Sequence, residues 1–194
     1  MNLPNKLTIA RIILVPIMVI IAMLNIPGKW IIVNLIFIIA SITDYLDGEI
    51  ARKKNMITTL GKFLDPLADK ILVLSAMIIM VEQGFIPAWI PIIVIIREFI
   101  VSGYRLVAVE KGGTVISANI WGKVKTVTQI IAIIITFIDL HRFAEFITGN
   151  LTGINLITNI LATSFMLIAT IATILSGINY LKGSKELLKW MKSK

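Results

Sequence analysis

The stretch KWIIVNLIFIIASITDYLDGEIAR, residues 29–52, is followed eight residues later by GKFLDPLAD, residues 61–69. An apolar run long enough to cross a bilayer ends in carboxylates, and the next apolar run begins with them. Asp44, Asp47, Glu49, Asp65 and Asp69 make five of the eleven acidic residues of the chain. Inside a bilayer an ionisable side chain costs about 2.5–3.5 kcal/mol near a helix centre on the insertion scale, so such residues mark function by default.

Their spacing carries geometry. Asp44 and Asp47 are three residues apart, and Gly48 and Ala51 continue the same helical face. Asp65 and Asp69 are four apart, with Gly61 one turn before Asp65. A short loop joins the two helices, so they run antiparallel. Asp44 lies eight residues from Arg52, and Asp69 lies eight from Gly61. At 1.5 Å per residue each is roughly 12 Å deep. Asp47 and Asp65 match in depth nearer the surface. Four carboxylates are thus expected to converge on one seam, where they cannot all stay ionised without a cation. All-oxygen ligands select hard ions such as magnesium, manganese or calcium. Two such ions suit phosphate chemistry, because they clamp a pyrophosphate and neutralise developing charge. Gly48, Ala51 and Gly61 leave room for a flat or bulky ligand. The plainer alternative pairs the aspartates with Arg52, Lys53, Lys54 and Lys62, but salt bridges do not require matched depth. Asp65-Pro66 also reads as a helix N-cap followed by a first-turn proline.

Working outward, the chain has 194 residues, 57% of them hydrophobic and 15% charged, with a mean hydropathy of +0.92. A soluble domain of this size has about 45–50% apolar and about 25% charged residues. The expected fold is an all-α integral membrane protein, a single domain over 1–194. Helices are expected at 7–25, 29–52, 62–82, 86–109, 118–139 and 153–181, six transmembrane spans in all. Polar or glycine-bearing breaks separate them. From Lys182 a short basic tail is expected on the membrane surface, anchored by Trp190. Zero cysteines exclude disulfides, thiolate zinc sites, iron–sulfur clusters and a cysteine nucleophile.

The formal charge is +8. The basic residues sit beside apolar runs, which favours a membrane surface over nucleic acid. With six spans, Lys6, Arg11, Arg52, Lys53, Lys54, Lys62, Lys111, Lys123, Lys125 and the tail lysines fall on the side of the termini. Only Lys29 and Arg142 fall opposite. The positive-inside rule then makes the termini cytoplasmic. The first apolar run is too long for a signal-peptide h-region, and no small-x-small cleavage site follows it.

The acidic region reads D-x-x-D-G-x-x-A-R, eight residues, then G-x-x-x-D-x-x-x-D. It resembles the signature of the CDP-alcohol phosphatidyltransferase family at all eight fixed positions: Asp44, Asp47, Gly48, Ala51, Arg52, Gly61, Asp65 and Asp69. At about 5–7% usage per residue, a chance match at one start is on the order of one in 10¹⁰. The resemblance implies a six-helix membrane enzyme, usually a homodimer, with its site open to the cytoplasm. It implies transfer of a phosphatidyl group from CDP-diacylglycerol to an alcohol, with release of CMP. It implies two divalent cations, Mg²⁺ or Mn²⁺, held by Asp44, Asp47 and Asp65. Asp69 would be the catalytic base and would also touch a metal. Gly48, Ala51 and Gly61 would line the cytidine pocket, with Arg52 among the nucleotide-binding positions.

A second phosphate site bears on the acceptor. Arg97-Glu98 and Arg105 lie in the fourth helix, and the two arginines are about 80° apart around its axis. Gly122-Lys123-Val124-Lys125-Thr126 opens the fifth, and Lys125 reaches a depth close to that of Asp44 and Asp69. Arg97, Arg105, Lys123 and Lys125 beside the acidic cluster favour an anionic acceptor such as an alcohol phosphate. The alternatives are snorkelling to lipid headgroups for the lysines and, for Arg97, an ion pair. The residues 2–8 (NLPNKLT), the run from Arg97 to Arg105 and residues 122–129 (GKVKTVTQ) resemble the branch of this family whose acceptor is sn-glycerol 3-phosphate. On that resemblance Asn5 and Thr8 help line the nucleotide pocket. Inositol phosphate, serine and phosphatidylglycerol remain alternative acceptors.

The other signals are structural. His141 falls in an outer loop. Thr163, Thr170, Thr173 and Gly177 form a small-residue stripe suited to helix packing. A cation transporter would want polar residues continuing to the far side, and the outer halves of the first three helices are apolar. A purely structural scaffold would tolerate loss of all four aspartates.

Overall fold

The fold is given by a computed structural model that describes residues 3–53, 59–110 and 120–183, with side chains placed over 7–44, 67–104 and 120–181. The helices are α1 Leu3–Met23, α2 Lys29–Lys53, α3 Thr59–Glu82, α4 Trp89–Glu110, α5 Ile120–Asp139 and α6 Gly153–Gly183, with a 3₁₀ turn at Glu145–Thr148. No strand occurs among the described residues. The expected tail helix after Lys182, with Trp190, lies outside them.

Three boundaries differ from expectation for local reasons. The first helix starts at Leu3, not at 7, because Pro4 in a first turn lacks only an N–H that would go unpaired anyway. The third starts at Thr59. Asp65-Pro66 is therefore not a cap and a first-turn proline; it lies inside the helix, where Pro66 cannot donate to the carbonyl of Lys62. The fourth starts at Trp89, not at 86, because Pro87 biases Ile86 away from helical geometry.

The turns follow from glycine. After α3 the Phe85 N–H donates to the Met80 carbonyl at 2.8 Å and the Gly84 N–H to Val81 at 3.0 Å. This Schellman pattern needs a left-handed residue, and Gly84 supplies it with φ +77°. Gly28, at φ +73°, starts α2 in the same permissive way.

The six helices form two groups of three. In one, α1 packs against α2 and α3; in the other, α6 packs along α5 and against α4. Contacts of α2 with α5, and of α3 with α4 and α5, join the groups. Met18, Phe37, Leu72, Met77, Met80, Ile90, Ile133 and Met166 fill the shared core. Trp30 lies between Phe85 and Phe137, with ring centroids 5.3 and 6.1 Å away. Thr170, Thr173 and Ser176 are buried along α6. The first two return their hydroxyls to carbonyls one turn back, at 2.7 and 2.6 Å, which leaves a close-packing face.

The outside is apolar: Ile20, Ile39, Ile78, Ile96 and Ile171 are all more than half exposed. Among the described residues two helices are long and apolar enough to cross a membrane, Ile120–Asp139 and Gly153–Leu181, with mean hydropathies of 1.4 and 2.0. The other four carry charged side chains within their length; Lys29 and Glu82 lie at one end of the bundle, and Arg11, Asp44, Asp69, Lys70, Arg97 and Glu98 lie toward the other.

The opposite end is held by a closed polar network. Asp139, the last residue of α5, is 5% exposed. Its carboxylate accepts from the Thr158 hydroxyl at 2.8 Å and the Asn159 amide at 2.7 Å, and lies 3.1 Å from His141 Nδ1. Asn159 also donates to the Arg142 carbonyl at 3.0 Å and accepts from the Phe146 N–H at 2.9 Å. A carboxylate at a helix C-terminus opposes the helix dipole, and these donors offset that cost. Asn159→Leu removes two donors and one acceptor from a buried network. It is expected to lower stability by about 2–4 kcal/mol, read as reduced thermal stability in detergent micelles.

Candidate active site

Every element contributes a polar or charged side chain to the other end of the bundle. Arg11 lies two turns into α1, completely buried, and its Nη1 donates to Asp44 Oδ1 on α2 at 2.5 Å. Asp69 comes from α3. It sits within Coulombic reach of Asp44, Lys125, Glu98 and Arg11. Asp44 and Asp69 thus lie within Coulombic range of one another, with Arg11 as the counter-charge to Asp44.

Asp47 and Asp65 lie on α2 and α3, and their side chains are outside the described residues. The same holds for Gly48, Ala51, Arg52 and Gly61, for Asn5 at the start of α1, and for Arg105 on α4. Thr8 is described and fully buried, one turn before Arg11 on the same face of α1. Among the described residues no three Asp, Glu or His side chains group closely enough to hold a metal. The two aspartates that are described offer only oxygen, on facing helices, which fits a hard divalent cation.

Asp69 opens into a small cleft lined by Lys70, Val73, Val94, Glu98, Lys125 and Gln129, among others. Cations and carboxylates form one wall. Glu98 Oε1 accepts from Lys125 on α5 and from Arg97 Nη1 at 2.8 Å. Its other oxygen faces Lys70 at 3.6 Å, and Lys70 also donates to Ser102.

The basic residues singled out by sequence separate into three placements. Lys125 is 8% exposed and lines the cleft. Lys123 is exposed and does not line it, because two residues along a helix turn the side chain to another face. Arg97 stands behind Glu98. Its Nη2 donates to Ser176 on α6 at 2.6 Å, while its Nε is buried without a hydrogen-bond partner. Gly122 and Gly177 flank it: a Cβ at Gly122 would make ordinary contact with Nη2 at 3.7 Å, and one at Gly177 with Cγ at 3.5 Å.

Three residues of the site escaped the sequence reading. Glu98 was seen only as the neighbour of Arg97. As a lone carboxylate in the interior of an apolar run, it carried the same signal as the aspartates. Lys70 follows Asp69 directly and was passed over. Arg11 was counted among the flanking cations, although its distance from the helix start places it inside the bundle.

The family model described as CDP-alcohol phosphatidyltransferase matches residues 1–178. A protein of Bacillus subtilis (strain 168) named CDP-diacylglycerol–glycerol-3-phosphate 3-phosphatidyltransferase is 42% identical over 200 aligned residues, covering 97% of each chain. Proteins with the same name from Haemophilus influenzae and Rickettsia bellii are 40% and 36% identical. Each alignment covers 95% of this chain, and 94% and 96% of the respective relative. The chain belongs to the CDP-alcohol phosphatidyltransferase family.

Arg11→Met leaves Asp44, whose side chain is 40% exposed, beside Asp69 without the guanidinium. A loss of about 2–4 kcal/mol is expected, below the full penalty for a broken buried pair because water reaches Asp44. Thermal unfolding in detergent micelles, compared with Arg11→Lys, measures it.

Proposed function

We propose that this chain transfers the phosphatidyl group of CDP-diacylglycerol to sn-glycerol 3-phosphate, giving phosphatidylglycerophosphate and CMP. One observation carries the reading: Asp69 lines a small cleft together with Lys70 and Lys125, in a chain whose near-full-length relatives bear that activity in their names. A base beside cations is what a phosphorylated alcohol requires. Its hydroxyl must lose a proton while its phosphate is held.

In this reading Asp69 takes the proton of the glycerol hydroxyl. That oxygen bonds to the phosphorus bearing diacylglycerol. The bond from this phosphorus to the CMP oxygen breaks, and CMP leaves. Lys125 holds the acceptor phosphate, with Arg105 completing the basic side and Arg97 backing it; Lys123, turned to another face, takes no part. Asp44, Asp47, Asp65 and Asp69 would hold two divalent cations, Mg²⁺ or Mn²⁺. When bound, these supply charge neutralisation at the pyrophosphate. Gly48, Ala51, Arg52 and Gly61, with Asn5 and Thr8, form the nucleotide side.

The chain is read as one membrane domain of six spans in the cell membrane, with both termini and the cleft cytoplasmic. The exposed isoleucines and the apolar α5 and α6 support a bilayer setting. The sorting of basic residues supports the orientation. A homodimer is the expected assembly. The acceptor is the point at which relatives with other activities would differ. Inositol phosphate, serine or phosphatidylglycerol would each leave a different lipid product.

Purified protein given CDP-diacylglycerol and each alcohol in turn is expected to release CMP with glycerol 3-phosphate above all others. Release only with an unphosphorylated alcohol would refute the acceptor. Asp69→Asn is expected to reduce turnover by about 10²–10⁴-fold or more while much nucleotide binding remains. Full activity in that variant would remove the base. Chelation of divalent ions is expected to stop the reaction, and added Mg²⁺ or Mn²⁺ to restore it.

A further inference from the structure

Glu98 is a carboxylate on the cationic side of the cleft, where the reaction proposed above has no direct use for it. Its side chain is 12% exposed and receives charge from three directions: Lys70 on α3, Arg97 on its own helix and Lys125 on α5. On this wall three cations against one carboxylate leave two positive charges over, of which Asp69 in the same cleft offsets one. An acceptor phosphate carries about −1.5 to −2, so the wall is electrically complementary to it only as a unit.

We propose that Glu98 is a positioning residue that holds Lys70 and Lys125 together, so that both ammonium groups meet the acceptor phosphate. The proposal rests on the reading of the cleft as the glycerol 3-phosphate site. Two features separate this role from plain helix packing. Glu98, Lys70 and Lys125 all line the same cleft as Asp69. Arg97, by contrast, lies outside the lining and anchors Glu98 from behind through Ser176, between Gly122 and Gly177. The carboxylate is thus fixed on one side and presents cations on the other. Without it, two half-buried ammonium groups from different helices repel one another and swing apart, and a phosphate must gather them on arrival. The residue makes no contact with reacting atoms in this scheme and acts only through the lysines.

The test is steady-state kinetics of the full chain in detergent–lipid micelles, with glycerol 3-phosphate and CDP-diacylglycerol varied separately. Glu98→Gln is expected to raise KM for glycerol 3-phosphate by roughly 10- to 100-fold. KM for CDP-diacylglycerol, and kcat at saturating acceptor, should stay within about threefold. Glu98→Asp keeps the charge but withdraws it by one methylene, and is expected to fall between the native chain and Glu98→Gln. That variant carries the test if Glu98→Gln does not fold. In a Lys125→Met background, Glu98→Gln is expected to have much less effect, because the main group it positions is gone.

A native acceptor KM in both Glu98 variants overturns the proposal. So does a lowered KM, which would mean that the carboxylate only competes with the phosphate. Parallel losses in kcat and both KM values make the role structural, and additive effects with Lys125→Met make it independent of the lysine. If the native chain uses no phosphorylated acceptor, the proposed function fails and takes this inference with it. If glycerol 3-phosphate is used and the variants are silent, the inference alone fails.

Discussion

Charge inside an apolar bundle has to be answered by opposite charge on another helix, and this constraint organises the molecule. A lone ion among the isoleucines and methionines of this core would cost several kcal/mol. Arg11 therefore reaches from α1 to Asp44 on α2. Glu98 on α4 answers Lys70 on α3 and Lys125 on α5. Arg97 carries the chain of contacts on to Ser176 of α6. Each pair links two elements that hydropathy alone would leave free to rotate about their axes. The charges needed for phosphate chemistry are therefore also the charges that fix helix rotation at that end.

The two ends of the bundle solve the same problem to different purposes. At the end with Asp139, both carboxylate oxygens are taken up by Thr158, Asn159 and His141, and the network closes on itself. His141 thus has the structural role that its loop position implied. At the other end, Asp69, Lys70, Glu98 and Lys125 surround open space, and Arg97 behind Glu98 adds a third cation against the two carboxylates. A closed network stabilises; an open one with residual charge is suited to a charged guest. Belonging to the CDP-alcohol phosphatidyltransferase family says what kind of guest that is.

Part of the site is legible in residues 44–69 because helical periodicity and depth are simple functions of residue number. Eight residues from either end of a short loop put Asp44 and Asp69 at one expected level, and the two lie within Coulombic range of one another, while the side chains of Asp47 and Asp65 are outside the described residues. The roles of individual cations were less legible. Lys123 and Lys125 look alike in sequence, but one helical step sends the first outward and the second into the cleft. Arg97 reads as a phosphate ligand until its bonds to Glu98 and to Ser176 of α6 are seen. Glu98 was overshadowed by the two basic residues expected beside the acceptor.

The sequence by itself determined that the chain is helical, that its surface suits lipid, and which carboxylates are expected at a shared level. These follow from local hydropathy, from 1.5 Å of rise per residue and from a motif contained in one stretch. Only the tertiary structure decided which cation meets which carboxylate. Arg11 and Asp44 are 33 residues apart, Glu98 and Lys125 are 27 apart, and Arg97 and Ser176 are 79 apart. No periodicity spans such intervals. The pairing depends on how whole helices turn against one another, and that is set by the packing of glycines, methionines and small polar residues along every seam at once.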